Sequence, residues 1–258
     1  MLQAEFEGVK EMFRTNTIRV PEPICFGTTE YGAYIILEKL NFGGISEGAL
    51  YGQKLAAMHK CLSPTNKFGW RINNTIGTII RFQFIINLIS SNPKPKGATL
   101  QPNTECDSWA DFWDRYRLGH MLDLAKRDGA QFSNEKELRE RVYTLLDEHE
   151  KRNNLKPCLV HGDLWSGNQN TLSTGEPVIF DPAVYYGDPE VDIAMTLLFG
   201  ANSKKFYDSY FNEMGGVKEG YEIRTTIYNL YHILNHYVLF GGGYLQQSYN
   251  MIDRILKY

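Results

Sequence analysis

The sequence has few cysteines, no long apolar run and little excess charge, and each of these absences excludes a class of protein. Its four cysteines are too scattered for the C-x-x-C pairs of a zinc site or for a secreted disulfide scaffold, which favours a reducing compartment. No apolar run is long enough to span a membrane, and no signal peptide begins the chain. The formal net charge of −3 gives no reason to expect nucleic acid as a partner. We therefore expect a soluble, cytoplasmic protein that binds neither membranes nor nucleic acid, unless an organellar targeting segment has been lost from the amino terminus.

The sequence does contain enough apolar residues for a sizeable core, 43% of 258, and one stretch around which the rest is organised. From His161 to Asn168 the chain runs H-G-D-L-W-S-G-N, with Asp163 and Asn168 five residues apart. A second carboxylate, Asp181, follows thirteen residues after Asn168, at the end of the apolar run V-I-F. Two short runs between them have strand character and flank the turn-rich S-T-G-E. This pattern predicts a hairpin that brings Asn168 and Asp181 side by side.

These residue types at this spacing suit phosphoryl transfer. The reaction requires alignment of the accepting hydroxyl and neutralisation of charge on the phosphates, with little covalent help from the protein. A loop carboxylate such as Asp163 can orient the hydroxyl and accept its proton. The side-chain oxygens of Asn168 and Asp181 are ligands that Mg²⁺ prefers. The alternative is that Asp163 and Asn168 cap turns and Asp181 ends a strand, as these residue types commonly do.

Several segments together resemble the fructosamine-3-kinase (ketosamine-3-kinase) family, which belongs with the aminoglycoside-phosphotransferase-like and protein-kinase-like folds. The strongest are H-G-D-L-W-S-G-N, the V-I-F-D-P-A that ends at Ala183, and Y-G-D-P-E-V-D-I-A from Tyr186 to Ala194. The matching segments elsewhere are residues 15–21, 101–103, 109–119 and 234–244. The resemblance implies an α+β, protein-kinase-like two-lobe fold with a truncated N-terminal lobe and a mainly helical C-terminal lobe. Residues 1–41 would be the remnant of the nucleotide-binding lobe with its hinge, and residues 42–258 the catalytic lobe.

The resemblance also implies an activity. The family transfers the γ-phosphoryl group of ATP to the 3-hydroxyl of ketosamines, which are sugar adducts on amines or protein lysines, in the repair of glycated proteins. ATP and Mg²⁺ would be the cofactors, Asp163 the catalytic carboxylate, and Asn168 and Asp181 the magnesium ligands. The alternatives are a kinase of the aminoglycoside or choline type, and a non-catalytic ketosamine-binding pseudokinase.

Three further residues of this region have predicted roles. Trp165 distinguishes the family from aminoglycoside kinases, which usually carry histidine there, and its ring could stack on a sugar; the alternative is a core tryptophan. By resemblance, Asp192 braces the catalytic loop from the next helix, with a solvated helix aspartate as the alternative. We assign His161 a supporting role.

The amino-terminal residues resemble parts of the nucleotide-binding lobe. Residues 4–14 have helical spacing, and by resemblance this helix supplies the glutamate that pairs with the ATP-binding lysine. Glu5 is the closest match and Glu7 the second, against the alternative of a solvated glutamate. Residues 34–37 predict a buried strand that leads into the adenine-binding hinge, which the resemblance places from Glu38 to Leu40.

Two departures from the family pattern affect these expectations. No glycine-containing phosphate loop and no strand lysine precede the helix, so we expect weak or absent activity of the chain as written, because charge stabilisation and positioning are lost together. Residues 78–97 separate N-T-I-G from A-T-L-Q-P-N, which the family joins almost directly. They predict either a surface insertion or a retained intron.

The remaining periodic segments predict helices of the larger lobe. His59 ends the first of them and is expected to be structural. The predicted helices cover residues 46–60, 108–126, 134–152, 188–199, 206–211 and 221–249.

Overall fold

The structure is a computed structural model that describes residues 2–77 and 98–258. The predicted insertion, residues 78–97, lies outside the described residues. The helices are α1 (Leu2–Thr15), α2 (Gly48–His59), α3 (Trp109–Trp113), α4 (Gly119–Arg127), α5 (Glu135–Asn153), α6 (Glu190–Leu198), α7 (Lys204–Glu213), α8 (Tyr221–Phe240) and α9 (Tyr244–Lys257). The strands are β1 (Pro23–Thr29), β2 (Gly32–Leu37), β3 (Asn74–Ile76), β4 (Thr99–Gln101), β5 (Cys158–Val160), β6 (Gln169–Thr171), β7 (Pro177–Ile179) and β8 (Tyr185–Gly187).

The strands form small antiparallel sheets set among the helices, which confirms the predicted α+β class. Within the described ranges each sheet has two strands, paired as β1–β2, β3–β4, β5–β8 and β6–β7. No helix within those ranges has both the length and the apolar content needed to cross a bilayer. The division of the chain at residues 41 and 42 stays a prediction.

The first helix forms as its spacing predicts. Phe6 and Val9, which the spacing places on the apolar side, are buried together with Met12, whereas Phe13, predicted on the same side, is 39% exposed. Gly8 breaks the helical preference of the sequence, but a Cβ there would lie 3.3 Å from Val184. The glycine therefore lets the helix pack closely on the chain segment that follows Asp181.

The β1–β2 hairpin corrects one prediction. Phe26 packs against Phe6 of α1 with ring centroids 5.0 Å apart. The opposite face of the hairpin is open, with Tyr34 and Ile36 respectively 41% and 46% exposed. The prediction of a buried strand over 34–37 is therefore wrong. A run of apolar residues predicts that a strand forms, but it does not predict whether one face of the strand or both faces are covered.

The predicted helix over residues 108–126 is present but interrupted. A π-helical turn, Asp114–Leu118, joins α3 to α4, and the Gly119 N–H bonds to the Asp114 carbonyl five residues earlier. A Cβ at Gly119 would lie 2.5 Å from that oxygen, so the glycine permits the extra residue in the turn. Trp109 and Trp113 are nevertheless buried, as their spacing predicts.

Helix α2 packs closely on α7 at a glycine. A Cβ at Gly52 would lie 2.4 Å from the carbonyl oxygen of Phe206, so a larger residue would push the two helices apart. This close contact brings His59, at the end of α2, to Tyr210 of α7 deep in the core.

A buried group of charges ties α5, α6 and α8 together. Arg224 of α8 donates to both carboxylate oxygens of Glu190 at 2.7 and 2.8 Å. Beside this pair, Asp188 accepts a hydrogen bond from the Tyr228 hydroxyl at 2.6 Å and lies 3.0 Å from His149 Nε2. His149, Asp188 and Glu190 are close enough to share a metal ion. Because the Arg224 guanidinium already binds Glu190, we interpret the group as a structural network of ion pairs and hydrogen bonds.

Replacing Arg224 by methionine should therefore destabilise the protein strongly. The Arg224 and Glu190 side chains are only 4% and 10% exposed, so the change leaves a carboxylate buried without its partner. Breaking a buried pair in this way costs about 3–5 kcal/mol, measured as the free energy of unfolding in urea. The control is Arg152→Met, which breaks a pair with Glu219 whose side chains are 56% and 82% exposed, and should cost less than about 1 kcal/mol. Equal losses in the two variants would contradict the assignment.

Candidate active site

The predicted hairpin is confirmed. Strands β6 and β7 pair antiparallel with Gln169 opposite Ile179, and the Phe180 N–H extends the pairing to the carbonyl of Asn168 at 3.0 Å. The Asn168 side-chain nitrogen then donates to the carbonyl of Asp181 at 3.3 Å. Asn168 and Asp181 therefore lie side by side, on strands that meet at their ends.

Asn168 also contacts the loop carboxylate. Its side-chain nitrogen donates to the carbonyl of Asp163 at 2.9 Å and lies 3.4 Å from a carboxylate oxygen of the same residue. Since that nitrogen is committed to Asp163 and Asp181, the Asn168 amide oxygen is the atom able to coordinate a cation. Asp181 is held at φ 57°, in the left-handed region that residues with a side chain seldom adopt. An amide oxygen and a carboxylate fit Mg²⁺, which commonly completes its octahedron with phosphate and water oxygens.

Asp163 is in a strongly negative environment. Burial, together with the charges of Asp192 and Asp181, raises the pKa of Asp163 to about 7, although the hydrogen bond from Asn168 opposes the shift. A carboxyl group with a pKa near neutrality is suited to accept a proton from a hydroxyl at physiological pH. Perturbed carboxylates of this kind are typical of active sites.

Asp192 lies on α6, and its side chain reaches the loop that carries Asp163. Its two carboxylate oxygens accept hydrogen bonds from the backbone N–H groups of His161 and Gly162 at 2.7 and 2.8 Å. Gly162 has φ 80°, and a Cβ there would lie 2.2 Å from the carbonyl oxygen of Ala183. The Asp192 carboxylate therefore fixes the tight turn that presents Asp163.

His59 supports Asp192 from the far side, and sequence reasoning did not find this contact. His59 Nε2 lies 3.0 Å from the Asp192 carboxylate, and its Nδ1 lies 2.7 Å from the hydroxyl of Tyr210. Burial alone would raise the pKa of Asp192, but the hydrogen bonds that its carboxylate accepts from the His59 ring and from the His161 backbone N–H hold the pKa below its usual range. The signal in the sequence was the L-A-x-x-H segment that ends at His59, whose partner lies 133 residues away.

His161 is held as a neutral ring. Its Nδ1 accepts a hydrogen bond from the Asp163 N–H at 3.2 Å, so Nε2 carries the proton donated to the Phe180 carbonyl at 2.9 Å. Burial lowers the pKa of His161, which agrees with this tautomer. The ring thus links the turn before Asp163 to the strand end before Asp181.

Trp165 lies at the surface of the loop. Its side chain is 37% exposed, which is inconsistent with a core tryptophan. The ring folds over Gly167, where a Cβ would lie 2.2 Å from it, so a residue with a side chain at 167 would displace the ring. An exposed indole two residues from Asp163 is a suitable surface for stacking a sugar ring.

The predicted hinge, Glu38 to Leu40, lies beside the β6–β7 hairpin. Phe42, just after Leu40, is antiparallel to Leu172 and has its ring 5.6 Å from that of Phe180. The Glu38 N–H donates to the Glu22 carbonyl at 2.9 Å, and its carboxylate pairs with Arg19. Among the described residues, no backbone partner is found for the Glu38 carbonyl or the Leu40 N–H. An adenine edge could bond those two groups.

Two of the three glutamates of α1 have partners outside the loop from His161 to Asn168. Glu7 and Glu11 pair with Arg71, and Glu11 also accepts a hydrogen bond from Tyr186. Glu5 is in the first turn of the helix and half-buried. Its predicted pairing with a nucleotide-binding lysine stays a prediction.

Comparison with known proteins agrees with this geometry. A family model described as fructosamine kinase matches residues 1–85 and 94–258. A Synechocystis protein named as a probable ketoamine kinase is 45% identical over 259 residues, which cover all of this chain and 79% of the relative. The chloroplastic protein-ribulosamine 3-kinase of Arabidopsis thaliana is 39% identical over 263 residues, covering all of this chain and 72% of the relative.

Solved structures give the same result. A crystal structure described as that of a fructosamine-3-kinase from Haemophilus somnus superposes with a TM-score of 0.80 at 28% identity, covering 99% of this chain and 79% of that one. The streptomycin–ATP complex of APH(2″)-IIa has a TM-score of 0.55 at 14% identity over 97% of this chain and 79% of its own length, and shares the fold. The family match over most of the chain and the identity to these relatives therefore show that this chain belongs to the fructosamine kinase family of phosphotransferases.

Proposed function

We propose that this protein transfers the γ-phosphoryl group of Mg-ATP to the 3-hydroxyl of ketosamines, the ribulosamine or fructosamine adducts of amines and protein lysines, and so acts in protein deglycation. The observation that carries the proposal is that Asn168 bonds to both Asp163 and Asp181, the proposed base and the proposed metal ligand. The names of the relatives, ketoamine kinase and ribulosamine 3-kinase, support the substrate class.

In this mechanism Asp163 orients the sugar hydroxyl and accepts its proton as the phosphoryl group is transferred. Asn168 and Asp181 would hold Mg²⁺, which neutralises charge on the phosphates when bound. Asp192 and His161 keep the loop in place, and Trp165 receives the sugar ring. The backbone from Glu38 to Leu40 would bind the adenine.

Asp163→Asn should lower kcat by about 10²- to 10⁴-fold, because the amide can still orient the hydroxyl but cannot accept its proton. Binding of Mg-ATP should change little, since the proposed metal ligands are retained. The measurement is Mg-ATP-dependent phosphorylation of ribulose-lysine and fructose-lysine by the purified chain, followed as ADP release. The control is Asp253→Asn, an exposed helix carboxylate paired with Lys257, which should retain activity.

Two results would contradict the proposed function. Undiminished turnover by Asp163→Asn would remove Asp163 from the reaction. Ketosamine binding without phosphoryl transfer, both by this chain and by a chain with a family-type amino-terminal segment restored, would instead support a non-catalytic binding protein.

Asp181→Asn should raise the Mg²⁺ concentration needed for half-maximal activity by about 10- to 100-fold. The substitution keeps an oxygen ligand but removes its charge, and charged contacts contribute about 1.5–3 kcal/mol. A titration of activity against free Mg²⁺ at saturating ATP measures the shift. If Asp181 is not a ligand, the midpoint of the titration will stay at its original value.

Trp165→Ala should raise the KM for ketosamine by about 3- to 10-fold, since aromatic stacking contributes about 0.5–1.5 kcal/mol. Trp165→Phe should restore most of the loss. The matched control is Tyr143→Ala on α5, because Tyr143 and Trp165 are equally exposed at 37%. A similar KM in all three variants would show that the sugar does not stack on Trp165.

A further inference from the structure

The backbone of Ala183 connects the two loops of the candidate active site, the loop that carries Asp163 and the loop that carries Asp181. Its N–H donates to the carbonyl of His161 at 2.8 Å. Its carbonyl oxygen lies directly against Gly162, where a Cβ would be only 2.2 Å away. Asp163 follows Gly162 in one loop, and Asp181 precedes Ala183 by two residues in the other. A shift of the Ala183 backbone would therefore alter the separation between Asp163 and Asp181.

Two carboxamide side chains donate hydrogen bonds to the backbone at Ala183 and at the next residue. Gln101 Nε2 donates to the Ala183 carbonyl at 3.0 Å, and Asn74 Nδ2 donates to the next carbonyl, that of Val184, at 2.8 Å. The two side chains also bond to each other, from Gln101 Nε2 to Asn74 Oδ1 at 2.7 Å. Because a backbone carbonyl can only accept, these contacts fix which end of each amide is nitrogen. In the described part of the chain, these amides are the donors found for the two carbonyls.

The amides are rigid because their support is buried. Asn74 and Gln101 lie opposite each other on β3 and β4 and are respectively 4% and 0% exposed. The Gln101 oxygen accepts a hydrogen bond from Tyr231 at 2.8 Å, and the Asn74 oxygen accepts a second one from Asn103 at 3.1 Å. Arg117, fully buried, donates to the Asn103 oxygen at 2.7 Å. A buried, hydrogen-bonded network of this kind resists displacement of any single member.

We propose that Gln101, aligned by Asn74, is a positioning residue for phosphoryl transfer: its amide fixes the Ala183 carbonyl and thereby the separation of Asp163 from Asp181. The inference rests on the proposed function, in which these two carboxylates act on one reaction. Positioning of this kind matters because displacement of a reacting group by about 1 Å can lower the rate by about 10²-fold.

The test compares Gln101→Met with Ile76→Val in the full chain. Methionine has a similar length and remains apolar in the core, but it donates no hydrogen bond to Ala183. Ile76 is 1% exposed on β3, in the same strand pair, and its substitution loosens the packing while keeping both amides. The melting temperature of each variant measures the loss of stability, which we expect in both.

Three measurements separate positioning from simple destabilisation. For Gln101→Met we expect kcat to fall by at least about tenfold, with the KM for ketosamine within about twofold of the original. We expect the affinity for Mn²⁺ in the presence of ADP, followed by electron paramagnetic resonance, to weaken by about threefold or more. Hydrogen exchange of the unliganded protein should speed up selectively in peptides covering 158–163 and 181–187. Ile76→Val should show none of these changes beyond its shift in melting temperature.

The outcomes distinguish this inference from the proposed function. If Gln101→Met and Ile76→Val behave alike in turnover, Mn²⁺ affinity and local exchange, the positioning role is wrong. If the unaltered chain neither phosphorylates ketosamines nor binds Mn²⁺ with ADP, the proposed function fails. In that case the selective exchange effect still decides whether Gln101 holds the two loops together.

Discussion

The candidate active site depends on one buried carboxylate, that of Asp192. Burying a charge without compensation is strongly unfavourable, so a carboxylate in the core requires several hydrogen-bond donors. Asp192 has two backbone donors, from His161 and Gly162, and the ring of His59 as a third contact. The compensation is reciprocal, because the two N–H groups belong to a tight turn that would otherwise leave them without partners in the core. The charge therefore stabilises the turn, and the turn makes the buried charge tolerable.

This arrangement explains why distant helices must meet at the site. His59 ends α2 and Tyr210 lies on α7, and those helices pack closely at Gly52. A change that separates α2 from α7 would withdraw His59 from Asp192, although neither helix contains a proposed catalytic residue. The geometry of the catalytic loop therefore depends on the packing of the helical core.

The sequence predicted those parts of the site that are local. The β6–β7 hairpin joins Asn168 to Asp181 through a short turn, so strand patterning and turn residues were sufficient to place them together. The contact of Gln101 with Ala183 spans 82 residues, and no periodicity reports which distant carbonyl a buried amide will meet. The resemblance identified Q-P-N as a matching segment without giving its physical role. The exposed face of β2 shows the converse limit, since apolar composition predicts a strand but not what covers it.

The backbone conformation of Asp181 gives the polar network a physical purpose. A left-handed conformation at a residue with a side chain costs of order 1–3 kcal/mol and persists only where the surroundings impose it. Here the constraints come from both sides: Asn168 bonds to the Asp181 carbonyl, and the amides of Gln101 and Asn74 hold the carbonyls that follow. These contacts are made by buried side chains on separate elements. The fold itself therefore stabilises the left-handed conformation of Asp181 before any ligand binds. Such preorganisation is what a reaction governed by alignment and charge requires, since the loop need not be reorganised at the moment of transfer.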